Sequence, residues 1–103
     1  MIARTWRGWA PRDTADGYRR HFEREVAAHL RKVPGFRGAR LLSSADGDEV
    51  MFTTLTFFES MDAVRGFAGD EPELPVLEEE ARRVLLRWDD RVRHHEVAAD
   101  LGW

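Results

Sequence analysis

An α+β subunit with an antiparallel sheet and helices on one of its faces is what this sequence predicts, from three observations. Met1 to Trp9 alternates in strand fashion, with Ile2, Arg4 and Trp6 pointing one way and Ala3, Thr5 and Arg7 the other. Tyr18, Phe22, Val26, Leu30 and Val33 then recur at helical spacing. Finally, two more strand-like stretches flank Asp46-Gly47, a hairpin signal.

Taken in order, the first strand is broken by Pro11, Arg12 and Asp13. A helix over residues 14–32 follows, with Asp13 or Thr14 as N-cap, and Pro34-Gly35 stops it. Phe36 to Ser44 and Glu49 to Phe58 form the hairpin. Ser60 suits the N-cap of a short helix with Asp62 near its positive end, and Gly69 closes it. Pro75 is expected in the first turn of another helical piece running through Glu78-Glu79-Glu80 to about Val84. Asp89-Asp90 then turns the chain into a last strand, Arg91 to Ala98. The order is β-α-β-β-α-β, and right-handed crossovers place both helices on one sheet face. The third strand carries Met51, Leu55 and Phe57 on one side and Phe52 and Phe58 on the other. One apolar face is therefore left without helices, and a second copy of the chain is its simplest cover.

Composition narrows the function. At 103 residues with 43% hydrophobic content, the chain reads as one domain, residues 1–103, with a real core. A net charge of −3 argues against nucleic-acid binding. Cysteine is absent, which excludes thiol catalysis, disulfides and cysteine-held metals. No stretch reads as a secretory signal or a membrane span, so a soluble cytoplasmic protein without a membrane partner is expected.

The Leu55–Asp70 stretch, with its two aromatics, turn and short helix, stands with Arg4-Thr5-Trp6 in the first strand and Pro34-Gly35 before the second. Together they resemble the antibiotic biosynthesis monooxygenase family. The resemblance spans almost the whole chain and implies a ferredoxin-like βαββαβ subunit forming a dimeric α+β barrel. It also implies an activity: cofactor-independent oxygenation of an aromatic or polyketide-like molecule, in which the substrate donates electrons to oxygen, or cyclase or isomerase chemistry in the same cavity. Haem-degrading members use a helix histidine near a tryptophan. Here Phe67 through Leu86 holds no histidine, and Phe67 stands about where those members place the tryptophan. The other reading is a non-catalytic ligand-binding or stress-related dimer.

Four histidines supply the acid–base candidates. His94 and His95 are adjacent on a strand and face opposite ways, one toward the helix-side cavity and one toward the dimer interface. Each is a candidate catalytic group. His29 lies close to the apolar stripe and is a candidate pocket residue. His21, Glu25 and His29 have helical spacing suggestive of a metal face, but His21 and Glu25 drift toward solvent, so no metal is expected there. Arg4 and Trp6 share a strand face and suit a flat, electron-rich or anionic ligand by stacking and charged hydrogen bonds. Arg40 joins Arg4 if both face the cavity. Trp9 is expected to cap the core, with Trp88 and Trp103 packing across a dimer. Phosphate loops, dinucleotide fingerprints and zinc patterns are absent, so neither haem, flavin nor another cofactor is expected.

Overall fold

Strand β1, Ile2–Pro11, runs at the centre of an antiparallel sheet whose order is β2 (Phe36–Asp46), β3 (Glu49–Phe58), β1 and β4 (Arg87–Trp88), with β5 (Arg93–Glu96) also pairing with β1. The computed structural model describes residues 1–102, so the expectation for Trp103 lies outside the described residues. Helix α1, Ala15–His21, passes through a π-helical turn at Phe22–Val26 into α2, Ala27–Arg31. Strands β2, Phe36–Asp46, and β3, Glu49–Phe58, make the hairpin, and α3 spans Met61–Ala68. Helix α4, Glu79–Val84, precedes the short strands β4, Arg87–Trp88, and β5, Arg93–Glu96. Among the described residues no helix is long and apolar enough to cross a membrane.

Local chemistry explains these boundaries. Ser60 accepts a hydrogen bond from the Ala63 N–H at 3.2 Å, starting α3, and Gly69 at φ +86° ends it. Gly35, at φ +89°, is the tightest joint, because a Cβ there would lie 2.7 Å from the Ala63 Cβ. Its carbonyl accepts from Glu59 N–H at 2.8 Å, locking the end of β3 to the start of β2. Three boundaries differ from expectation. Pro11 closes β1 rather than breaking it, since it sits at the strand's end opposite Glu49. Pro75 lies in an irregular segment, and α4 starts only after Glu78, whose extended backbone forms the N-cap. The expected last strand, Arg91 to Ala98, is shortened to Arg93–Glu96, and an unexpected two-residue strand, Arg87–Trp88, precedes the turn.

The even-numbered residues of β1 face the helices. They are opposed on β3 by Phe58, Thr56, Thr54, Phe52 and Val50. Two hydrophobic clusters lie in this layer. One gathers Trp6, Ala10, Tyr18, Phe52, Ala81, Leu85 and Val92. The other gathers Ile2, Leu30, Val33, Phe58 and Val64. Between them runs a polar seam, because the register places the buried Arg4 opposite the buried Thr56.

Candidate functional site

Arg4 sits in that seam at 5% exposure. Its guanidinium donates to the carbonyls of Pro72 and Leu74, and another N–H meets the His94 Nε2 at 3.0 Å. Arginine can only donate, so His94 Nε2 accepts, and the imidazole is neutral with its proton on Nδ1. Burial first, then the Arg4 charge, holds His94 below the ordinary histidine value, with His95 adding to this and Glu73 opposing it. Burial also lowers the Arg4 pKa to about 10. The side chain remains cationic at neutral pH, with neutral carbonyls and an imidazole as its acceptors.

Beside Arg4, the Trp6 indole donates to the Asp89 carbonyl at 2.6 Å, which fixes its ring. Both residues line a cavity of about 50 Å³ between the helices and the sheet. Tyr18, His21 and Phe22 wall it on the helix side, and Thr54 and Thr56 on the sheet side, with Phe67 and the 75–77 segment closing it. Burial raises the Tyr18 pKa, so the phenol stays neutral. Ligand pockets for drug-sized molecules run to roughly 300–1,000 Å³. The cavity as it stands holds no molecule of that size, and the irregular segment over residues 69–78 borders it through Pro75, Val76 and Leu77. The hydrogen bonds from Arg4 to Pro72 and Leu74, with Val92 N–H to the Glu73 carbonyl at 2.7 Å, hold that segment down.

The other sequence candidates separate. Arg40 pairs with Leu55 and lies on the face away from the helices, so it does not join Arg4. His95 is exposed on that same face, with its Nε2 3.3 Å from the Thr5 hydroxyl, and only His94 of the pair reaches Arg4. His29 does not line the cavity; its ring packs tilted against Phe67, with centroids 4.8 Å apart. Trp9 lies on the open face rather than over the core, flanked by the Arg7 and Arg87 guanidiniums at 5.3 and 4.7 Å and donating to Asp46 at 3.0 Å. Trp88 packs against the first core cluster of its own chain. His21 does not drift toward solvent: its side chain is 2% exposed. His21 and Phe22 stand three and four residues after the buried Tyr18, so all three share one helix face and line the cavity together. Helical spacing therefore did hold a signal for His21 as an inward residue. Thr54 and Thr56 were findable, since they share β3 parity with Phe52 and Phe58.

The sequence model of a family described as antibiotic biosynthesis monooxygenase matches residues 1–72. The chain belongs to the antibiotic biosynthesis monooxygenase family. Among proteins of curated function, none matches it. Solved structures share this α+β fold of an antiparallel sheet with helices. The haem degrader MhuD of Mycobacterium tuberculosis, with two haems in its active site, aligns at 21% identity over 99% of this chain and 100% of its own, with a TM-score of 0.68. SnoaB, a cofactor-independent oxygenase from Streptomyces nogalater, aligns at 16% identity over 99% and 98%, with a TM-score of 0.67. The ActVA-Orf6 monooxygenase of Streptomyces coelicolor, in complex with nanaomycin D, aligns at 19% identity over 99% and 92%, with a TM-score of 0.62. At these identities the likeness carries the fold, while the chemistry rests on this chain's own residues.

Proposed function

We propose that this protein is a cofactor-independent oxygenase of the antibiotic biosynthesis monooxygenase type, acting in the cytoplasm as a homodimer on an aromatic or polyketide-like phenol. The observation that carries this reading is the buried Arg4 cation, without a carboxylate partner among the described residues, beside a ring-fixed Trp6 and a neutral His94. When the 69–78 segment lifts, the donors now facing the Pro72 and Leu74 carbonyls become free for a phenolate oxygen. Trp6 then offers a ring face for stacking, and His94 Nε2 is a neutral base beside the guanidinium. For a substrate with an oxidisable ring CH₂, the balance is one CH₂ and one O₂ giving one C=O and one water. The substrate supplies the electrons, and the protein supplies deprotonation, orientation and a water-poor cavity.

The homodimer has its own support. The sheet face without helices presents Leu42 at 47% exposure, with the half-buried Met51, Leu55 and Phe57 beside it. These belong to adjacent strands and make one apolar surface that a second copy covers.

The test is aerobic incubation with a tricyclic anthrone-type phenol while oxygen uptake is followed. One O₂ consumed per quinone formed is expected, and Arg4→Met lowers the rate at least tenfold. The small size of the closed cavity, about 50 Å³, favours a second reading, a non-catalytic ligand-binding dimer. Ligand binding without oxygen uptake selects it.

A further inference from the structure

We infer that His21, Glu25 and Glu78 form a site for a borderline divalent cation, Zn²⁺ being the natural probe, and that the bound cation latches the cavity-covering segment to the first helix. One ring nitrogen of His21 and one oxygen of each carboxylate lie within 4.8 Å of one another. The three residues come from two separate parts of the chain: the π turn and its approach supply His21 and Glu25, and the N-cap of α4 supplies Glu78. Nothing in the proposed oxygenase chemistry uses these carboxylates, so the site stands apart from that reading.

The decisive observation is the state of His21. Its side chain is 2% exposed, yet neither ring nitrogen has a hydrogen-bond partner among the described residues. Nδ1 lies 3.1 Å from Glu25 Oε2 at an angle that makes no hydrogen bond, and Nε2 lies 3.8 Å from Glu78 Oε2. A buried imidazole ordinarily has a partner for at least one nitrogen. Here each nitrogen lies within 4 Å of a carboxylate oxygen without being satisfied by it. A cation held by one ring nitrogen satisfies that nitrogen and offsets the two negative charges beside it. One imidazole and two carboxylates suit a borderline first-row cation better than Mg²⁺ or Ca²⁺, which take all-oxygen sets. Metal–ligand bonds of about 2.0–2.2 Å require the atoms to draw together slightly. Glu25 at 61% and Glu78 at 34% side-chain exposure are free to do so, and their solvent side leaves room for water ligands.

Placement gives the site its consequence. His21 lines the same cavity as Arg4 and Trp6, and Glu78 directly follows the 75–77 stretch that covers it. A cation joining them fixes the far end of the 69–78 segment, whose near end Arg4 holds through Pro72 and Leu74. A helix-only reading, with His21, Glu25 and His29 as ligands, fails because His29 packs on Phe67. Glu78 is the third ligand that helical spacing has no means of revealing.

The experiment uses the full chain, stripped with chelator and titrated with ZnCl₂ in a calorimeter, with hydrogen exchange of the 72–78 amides followed in parallel. One Zn²⁺ per chain is expected, together with slower exchange in that segment. E25Q and E78Q, at surface carboxylates that leave the core intact, should each weaken binding at least tenfold and remove the slowing. E79Q, one position along on the exposed face of α4, should change neither. Absence of stoichiometric uptake overturns the proposal. So does uptake unchanged in E25Q and E78Q, or uptake without slower exchange.

Discussion

Arg4 and Arg7 stand three residues apart on one strand, and the difference between them is the difference between the two faces of the sheet. Arg7 lies on the open face, exposed, with Asp89 taking both its Nε–H and a terminal N–H at 2.8 and 3.2 Å, and that hydrogen bond and charge raise its pKa. Arg4 lies on the helix face, buried, with carbonyls and an imidazole as acceptors, and burial lowers its pKa. A cation already matched by a carboxylate has little left to offer a ligand. A desolvated cation held only by neutral acceptors gains when an anion arrives, because the low local dielectric strengthens that contact. On this ground we propose the helix face as the site and the open face as the surface that a second copy covers.

The largest expected effects come from Phe57 and Phe58, neighbours on β3 that face opposite ways. Phe58 is fully buried between Phe36 and Phe67, with ring centroids 5.8 and 6.0 Å away. Phe58→Ala should cost about 3–5 kcal/mol in urea unfolding, the usual range for a buried aromatic. Phe57→Asp should leave the circular dichroism of the folded chain unchanged and convert a dimer to an 11.9 kDa monomer by light scattering. Equal loss of stability in the two variants would mean that the faces are not distinct.

Strand parity is what made half of the site legible. A period of two puts Arg4 with Trp6 and separates His94 from His95 without any knowledge of the fold. Parity alone leaves open which set faces the helices, and the cross-strand register resolves it by setting Ile2 against Phe58 and Gly8 against Phe52. The capping signals at Ser60 and Gly69 were equally readable, because they act within one turn of chain. Three features were not. Glu78 meets His21 from a distant part of the chain, a neighbour that helical periodicity has no means of revealing. Arg40 was ambiguous because β2 carries an irregularity between Phe36 and Gly38, which resets the facing of every residue after it. The capping of Arg4 by Pro72 and Leu74 joins main-chain carbonyls to a distant strand, and carbonyls have no sequence identity to read.

Ligand binding sharpens the arginine comparison at an intermediate scale. A planar phenol or quinone should quench tryptophan fluorescence, and Trp6→Phe should remove most of that quenching while the fold is kept. Arg4→Met should weaken a phenolate ligand by about 1–3 kcal/mol, the range for a lost charged hydrogen bond, and weaken a neutral analogue of the same shape far less. Arg7→Met should shift neither ligand beyond about 1 kcal/mol, as expected of an exposed ion pair. Similar losses from both substitutions would remove the distinction on which the site assignment rests.

The smallest effect belongs to His94, and its sign follows from the same burial. Its ordinary value is 6.5, and in the folded protein desolvation and the Arg4 charge bring it lower, against the pull of Glu73. Between the folded value and 6.5 the unfolded chain therefore binds more protons than the folded one, so stability falls as pH falls through that window. The contribution is fully present above about pH 6.5 and lost below the folded value. Urea midpoints measured from pH 8 to pH 5 should show the wild type losing stability relative to His94→Gln as the medium is acidified, since glutamine keeps an acceptor for Arg4 and cannot be protonated. His95 serves as the control from the open face: it is exposed and only touches the Thr5 hydroxyl, so His95→Gln should run parallel to the wild type. A wild type that gains stability relative to His94→Gln on acidification would place a carboxylate, rather than the Arg4 cation, as the dominant neighbour of His94, and the site would then be one that attracts cations.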